Sequence, residues 1–339
     1  MDELKRYSRQ MLFTPIGEDG QKKFNQSKAL VVGMGALGTA IANHLVRAGF
    51  GYVRIVDRDY VEKSNLQRQM LFDEEDVAAA LPKTVAAKKK LEKMNSSVTI
   101  DAITTDVNAS NIMDLLEGID FVMDGTDNFS TRFLLNDACF KKKIPFVYGG
   151  AVSSRGMTAL FVPDVTPCLR CFIQGGEQTS GETCDTIGVI SPIVDVIASY
   201  QVTEIMKYVA GDHDKLHKSL LTMDIWNNHS YAMKFSSPKE GCTTCQKKEY
   251  PALQAGTRKD VTSLCGRETI QIQLESRFDL KEWAIKLQKT AEVKETPFLL
   301  KAQLEEGERL VIFPDGRVLV QGTEDSGRAK ALYARYIGM

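Results

Sequence analysis

Long apolar runs are missing from this 339-residue sequence. None approaches the roughly 20 residues that cross a bilayer, and the opening Met1-Asp-Glu-Leu-Lys-Arg6 is charged where a secretory signal needs an apolar stretch. No membrane partner is expected, and the expected location is the cytoplasm. An excess of either charge is missing too. Lysine plus arginine number 43 against 44 aspartates plus glutamates, a net charge of −1, which excludes a general affinity for polyanions and makes nucleic acid an unexpected partner. Histidine is scarce: the four present have no metal-ligand spacing. There is no internal repeat and no low-complexity tract. Seven cysteines remain, and in a reducing compartment they read as metal ligands, nucleophiles or core residues rather than disulfides.

What is present is organised around Lys28-Ala-Leu-Val-Val-Gly-Met-Gly-Ala-Leu-Gly-Thr39, an apolar run that breaks into Gly33, Gly35 and Gly38 and resumes with helical spacing. The pattern predicts a buried strand, a glycine turn and a helix whose first amides can hold a phosphate. Gly33 allows the tight turn, Gly35 lets the backbone approach a ligand, and Gly38 lets helix pack closely on strand. The next strand, Tyr52 to Asp57, ends in an acid where a ribose hydroxyl would be received. Glycines and acid alone also suit a nicotinamide dinucleotide, so an NAD-dependent oxidoreductase is a reading that the rest of the chain must decide.

Taken in order, residues 2 to 12 and 19 to 25 read as helices, and residues 39 to 48 as a helix closed by Gly49. Leu81-Pro82-Lys83 opens another helix, with Pro82 in its first turn and Lys83 at an anion-favouring N-terminus. Residues 98 to 102 form a strand, 108 to 117 a helix, and Ile119 to Asp124 a buried strand, with Asp127 and Asn128 at its carboxyl end. Open parallel sheets bind ligands at that edge, so the glycine turn, Asp57 and Asp127 converge on one crevice. A helix over 131–141, a strand over 144–148 and an antiparallel extension from 157 follow. A glycine-rich segment, 174–188, precedes a helix over 192–208 and strands at 219–224 and 231–235. The fold class is α/β, a Rossmann-like, doubly wound, mainly parallel sheet with an antiparallel extension. Residues 1–248 make the main domain, a polar linker covers 249–264, and 265–339 make a small α+β domain whose Asp315-Gly316 marks a hairpin.

Two Cys-x-x-Cys pairs, Cys168/Cys171 and Cys242/Cys245, have the knuckle spacing of a four-thiolate zinc staple. Cys184 lies in a polar loop, where reactivity rather than packing explains a thiol. Cys139 reads as core, and Cys265 has no assignable role.

Arg6-Tyr-Ser-Arg9-Gln10, Gly33-Met-Gly-Ala-Leu-Gly38, Asp57-Arg-Asp59, Ser64-Asn-Leu-Gln-Arg68-Gln69, Pro82-Lys83, Thr126-Asp-Asn128 and the two cysteine pairs occur in one order. Over residues 4 to 248 this set resembles the ubiquitin-activating-enzyme superfamily, in particular its bacterial sulfur-carrier adenylyltransferases of the MoeB and ThiF kind. The resemblance implies ATP-dependent joining of AMP to the C-terminal glycine of a small ubiquitin-fold sulfur carrier ending in Gly-Gly, of thiamin or molybdopterin type, with magnesium and release of pyrophosphate. It implies that Arg68 and Lys83 neutralise triphosphate charge and that Asp127 carries magnesium. Asn65, Gln69 and Asn128, with Asp57 and Asp59, would position the nucleotide. It also implies a homodimer in which Arg9 reaches into the partner's site, and a role for Cys184 in sulfur transfer. The C-terminal domain is too short to be a rhodanese, which leaves a sulfurtransferase or cysteine desulfurase as a further partner. A dehydrogenase needs none of this cationic equipment. A non-catalytic, zinc-stabilised nucleotide-binding scaffold is the remaining alternative.

Overall fold

The computed structural model describes residues 4–173, 187–254, 261–264, 268–273 and 277–338. The chain divides into two compact units, Met1–Gly256 and Thr257–Met339. Among the described residues no helix is long and apolar enough to cross a membrane.

The first unit is built on an eight-stranded sheet. Its strands are β1 (Lys28–Val32), β2 (Tyr52–Asp57), β3 (Thr99–Thr104), β4 (Phe121–Asp124), β5 (Phe146–Val152), β6 (Arg155–Phe161), β7 (Ser219–Asp224) and β8 (His229–Lys234), in the order β3-β2-β1-β4-β5-β6-β7-β8. The first five are parallel and the last three run antiparallel. Strands β1 and β4 are buried along nearly their whole length, as strands covered by helices on both faces must be. The strand order reverses between β1 and β4, which opens a crevice at their carboxyl ends. The helices are α1 (Ser8–Met11), α2 (Gly17–Gln26), α3 (Ala36–Ala48), α4 (Glu74–Ala78), α5 (Lys83–Met94), α6 (Ile112–Leu115), α7 (Phe129–Lys142), α8 (Leu169–Phe172), α9 (Ser191–Ala210) and α10 (Pro251–Gln254). Helix α3 packs on α9, and α7 covers the opposite face with Phe133, Leu134, Ala138 and Cys139 in one apolar cluster with Phe146 and Phe161.

Several expected elements shift for local reasons. Residues 108 to 117 hold only the short α6. The Asn108 and Asn111 side chains accept from Ser110 N at 2.9 Å and Asn108 N at 3.0 Å, which holds the start of the segment as an asparagine turn ahead of Ile112. Strand β5 runs on through Gly149 and Gly150 to Val152, because neighbouring β6 pairs with it along its full length. Pro82 is the N-cap of α5, with extended ψ, and Lys83 is the first helical residue. The leader is a 3-10 turn, Lys5–Tyr7, followed by a single turn of α-helix. Within the stretch read as a linker, Pro251–Gln254 is helical and Val261–Leu264 is a strand.

The second unit is a six-stranded antiparallel sheet: β9 (Val261–Leu264), β10 (Thr269–Gln273), β11 (Glu292–Glu295), β12 (Leu300–Gln303), β13 (Arg309–Ile312) and β14 (Arg317–Gln321), in the order β11-β12-β13-β14-β10-β9. Helices α11 (Leu280–Leu287) and α12 (Ser326–Tyr336) bury Leu280, Ala284, Leu287, Ala329 and Leu332 against it. The Asp315-Gly316 turn joins β13 to β14, with Gly316 at φ +92°.

Candidate nucleotide crevice and four-thiol site

The glycine turn leaves β1 and enters α3. Gly33 has φ +87°, and a Cβ there would stand 2.7 Å from the Gly125 carbonyl oxygen. A Cβ on Gly38 would stand 1.7 Å from Gly33 O, so helix and loop touch backbone to backbone. Gly35 differs. Its Cβ position has nothing nearer than Gln69 Nε2, at 4.0 Å, so packing within the chain does not require a glycine there. The bare backbone faces open space at the N-terminus of α3, where no side chain caps the first amides. A phosphate fits that cradle.

The acids and cations sit around it. Asp57 ends β2, and its two oxygens accept from Met34 N at 2.6 Å and Asp59 N at 2.7 Å, tying the glycine turn to the loop after β2. Burial pushes its carboxyl up, against the pull of the nearby Lys83 ammonium. Lys83 is only 3% exposed, and its Nζ lies 3.3 Å from Asp59 Oδ2. Asn65, also buried, accepts from Glu62 N at 3.1 Å through Oδ1 and so closes a 3-10 turn. Gln69 is buried with its Oε1 unpaired, beside the open space at Gly35. That orphaned oxygen is a second feature that a bound ligand satisfies. Arg68 is half-buried and donates to Ser64 O at 2.9 Å. Asp127 is exposed on the turn after β4, while Asn128 is the N-cap of α7, its Oδ1 accepting from Thr131 N at 2.8 Å.

Sequence reasoning missed three groups here. Asp124 is fully buried at the end of β4 and accepts from Thr126 N, Thr126 Oγ1 and Arg132 Nε at 2.9, 2.7 and 3.2 Å. Burial raises its carboxyl, and the buried Arg132 guanidinium works against that. Arg132 also donates to Thr126 O and Gly149 O, at 2.7 and 3.1 Å, and fixes the turn that carries Asp127. Arg58 pairs with Asp106 at 3.0 Å. Burial opposes its charge, but Asp106, Asp59 and Asp127 outweigh it. The signal for Arg58 was its place between two acids in Asp57-Arg-Asp59. Arg132 offered none beyond being a cation on an apolar helix.

Arg9 stands apart from this group. Its neighbours tie the leader to the far end of α3: Gln10 Nε2 donates to Ala48 O at 3.0 Å, and the Tyr7 ring fills the space beside Gly49. A helix of α3's length, Ala36–Ala48, is about 20 Å long at 1.5 Å per residue. The glycine turn is at its other end. Arg9 is exposed, and so are Leu12 and Phe13, at 72% and 62%.

The two cysteine pairs meet. Cys168 and Cys242 have their Sγ atoms 3.6 Å apart, Cys171 and Cys245 3.4 Å, and all four lie within 4.8 Å of one another. A tetrahedral zinc with bonds of about 2.3 Å needs sulfurs roughly 3.8 Å apart, so the donor set and its size fit zinc. Lys239 N points at Cys171 Sγ at 3.4 Å. The hydrogen bond from the Cys168 thiol lowers Cys171 to about 4, and that same contact, with burial, pushes Cys168 up. Cys139 is buried in the apolar cluster on α7, as core. Cys184 and Cys265 lie outside the described residues.

An open parallel sheet with a bare glycine turn at its switch point, ringed by buried cations and acids, defines a nucleotide-binding α/β protein. The family model described as ThiF matches residues 7–244. The chain belongs to the ThiF family. It is 43% identical over 337 residues to the sulfur carrier protein ThiS adenylyltransferase of Bacillus subtilis, covering 98% of this chain and 99% of that protein. It is 35% identical to the sulfur carrier protein adenylyltransferase of Thermus thermophilus, over 66% of this chain and 84% of the relative. The adenylyltransferase and sulfurtransferase MOCS3 of Culex quinquefasciatus is 36% identical over 72% of this chain, which spans 56% of that longer protein. Among solved structures, Escherichia coli MccB with ATP superposes with a TM-score of 0.61 at 22% identity, over 71% of this chain and 74% of that one, a likeness of fold.

Proposed function

We propose that this chain is an ATP-dependent adenylyltransferase that joins AMP to the C-terminal glycine of a small ubiquitin-fold sulfur carrier and releases pyrophosphate. The observation that carries the reading is the crevice itself: an unfilled backbone cradle at Gly35 beside the buried cation Lys83, in a chain of the ThiF family. The near full-length likeness to the Bacillus subtilis protein favours a carrier of the thiamin type over the molybdopterin type.

The reaction brings a carboxylate against the α-phosphate of ATP, two anions that repel. The enzyme must hold them in line and neutralise the charge. Gly35 and the first amides of α3 receive phosphate oxygens. Lys83 is held by Asp59, which positions its ammonium at the crevice rather than in the solvent; Arg68 supplies the second cation. Asp57 and Asp59 hold the ribose side of the crevice, and Asn65 and Gln69 its rim, with the unpaired Gln69 Oε1 accepting from the ligand. Magnesium, when bound, screens the phosphates, and Asp127 is the carboxylate that would hold it, with Asn128 fixing the turn. Arg132 and Asp124 position that turn from beneath.

Arg9 acts from the other subunit of a homodimer. Its place at the far end of α3 keeps it from its own crevice, and the exposed Leu12 and Phe13 beside it suit burial against a second copy. Cys184 takes part in sulfur transfer, with a sulfurtransferase or cysteine desulfurase as donor. The enzyme works in the cytoplasm, with residues 1–256 as catalytic domain and 257–339 as a separate domain that takes Val261–Leu264 into its sheet. A nicotinamide oxidoreductase would leave Lys83, Arg68 and Asp127 without a task. The test is exchange of labelled pyrophosphate into ATP. It should require the carrier and disappear when the carrier's last glycine is deleted; exchange that ignores the carrier would refute the reading.

A further inference from the structure

Helix α7 carries, five residues beyond Arg132, a carboxylate that the nucleotide chemistry does not use. Asp137 is fully buried, and its two oxygens accept five donors. Oδ1 takes Arg170 Nε at 3.0 Å, Thr244 Oγ1 at 2.6 Å and Asn136 Nδ2 at 3.1 Å. Oδ2 takes Arg170 Nη2 at 2.8 Å and Ala252 N at 3.0 Å. Burying a carboxylate costs several kcal/mol unless it is fully hydrogen-bonded, and a helix surface seldom spends one on packing.

The identity of the donors shows what it does. Arg170 lies inside the first knuckle, between Cys168 and Cys171, and Thr244 lies inside the second, between Cys242 and Cys245. One side chain therefore grips both halves of a site whose paired cysteines are 74 residues apart in sequence. Its neighbour repeats the grip on the first knuckle, since Asn136 Oδ1 accepts from Leu169 N at 2.9 Å. The Arg170 guanidinium also lies over the Phe133 ring of the same helix, at 4.5 Å.

We propose that Asp137 is the positioning residue of the four-thiol site: by holding Arg170 and Thr244 together on α7 it sets the two knuckles in register before a metal binds. This rests on reading the four cysteines as a zinc site. Two thiols on one knuckle bind a cation weakly, and the second pair adds most when it is already held at the right distance. Asp137 supplies that distance by taking two hydrogen bonds from Arg170 of the first knuckle and one from Thr244 of the second, and acts on the metal only through them. Partners of this kind, one step removed from the ligands, typically change metal affinity by 10- to 100-fold when altered.

The test is made on the full-length chain with zinc and cobalt(II) as probes. Zinc affinity is measured by competition with a chromophoric chelator, and cobalt(II) bands report whether four sulfurs surround the ion tetrahedrally. Asp137→Asn should lower zinc affinity by roughly 10- to 100-fold and weaken or shift the tetrahedral cobalt bands, a signature that a general loss of packing would not give. Thr244→Val removes one donor with little change in volume, should lower affinity by a smaller factor, and should cost nothing further in the Asp137→Asn background. Wild-type affinity and spectrum in Asp137→Asn, or fully additive losses in the double variant, overturn the proposal while leaving the zinc reading intact. If Asp137→Asn does not fold, wild-type affinity in Thr244→Val overturns it alone. A wild-type chain that binds neither ion refutes the zinc reading and the proposal with it.

Discussion

Gly35 and Gly38 are three residues apart in one motif, yet alanine should do opposite things at the two positions. At Gly38 the added Cβ would stand 1.7 Å from the Gly33 carbonyl oxygen, where carbon and oxygen normally settle no closer than about 3.3 Å. Both neighbours are backbone, so relief means moving helix from loop by about 1.6 Å, at the upper end of overpacking costs, about 3 kcal/mol or more. For a unit of this size that lowers the melting temperature by about 6–12 °C. At Gly35 φ is −78°, outside the left-handed region, and the nearest atom is 4.0 Å from the new methyl. Alanine there also restricts the unfolded chain, which favours folding by about 0.4–1 kcal/mol, so the melting temperature should hold or rise by up to about 4 °C. What the methyl does occupy is the space that a phosphate enters, and nucleotide affinity should fall roughly tenfold or more, about 1.4 kcal/mol. Thermal unfolding and equilibrium dialysis of labelled ATP read the two effects separately. If Gly35→Ala binds ATP as tightly as wild type, or unfolds as readily as Gly38→Ala, the crevice is misassigned.

Four further outcomes are expected. Asp127→Ala should leave the fold intact, since the side chain is exposed on its turn, and should nearly abolish adenylate formation because the carboxylate proposed to hold magnesium is gone; normal turnover would remove Asp127 from the site. Lys83→Ala and Arg68→Ala should each slow adenylation by about a hundredfold or more, the scale for one preorganised charge at a reacting centre, as read by single-turnover pyrophosphate release. Asp124→Asn leaves the buried Arg132 without its counter-charge and should cost about 3–5 kcal/mol of stability in denaturant unfolding; a loss under 1 kcal/mol would contradict the positioning role given to that pair. Mixed Arg9→Ala and Asp127→Ala chains, each inactive alone, should regain roughly a quarter of wild-type activity if sites are independent and subunits exchange freely. Confirmed mixed dimers without activity would place Arg9 outside the partner's crevice.

The features legible in the sequence are those whose chemistry is local. Gly33 and Gly38 are read from spacing because Gly33 turns the chain at φ +87° and Gly38 packs on the Gly33 carbonyl within the same motif. The cysteine knuckles are read because a metal fixes the spacing within each pair, though nothing in either pair names Asp137, which lies on a helix that precedes both of them in sequence. The Asp124 and Arg132 pair was invisible for a related reason. An arginine on a helix reads as solvated until the helix folds back over the strand that carries its partner. Helix expectations failed at residues 108–117, where the Asn108 and Asn111 side chains hold the first residues as a turn that periodicity does not register. The polar composition of 249–264 hid a strand, Val261–Leu264, whose place is set by pairing with β10 rather than by its own residues. Lys83 was read from its place at a helix start, where anions are favoured; its near-complete burial against Asp59 depends on a loop more than twenty residues away, which that local pattern does not show.

The central claim is that this crevice makes an acyl-adenylate on a protein carboxylate. The most direct measurement is the intact mass of a purified ubiquitin-fold carrier of the thiamin type, incubated with the protein, magnesium and ATP and trapped before any sulfur donor is added. The carrier should be heavier by one AMP, attached at its terminal glycine, with one pyrophosphate released per adduct and none formed when that glycine is removed. An unmodified carrier in the presence of bound ATP, or AMP found on this chain rather than on the carrier, would contradict it.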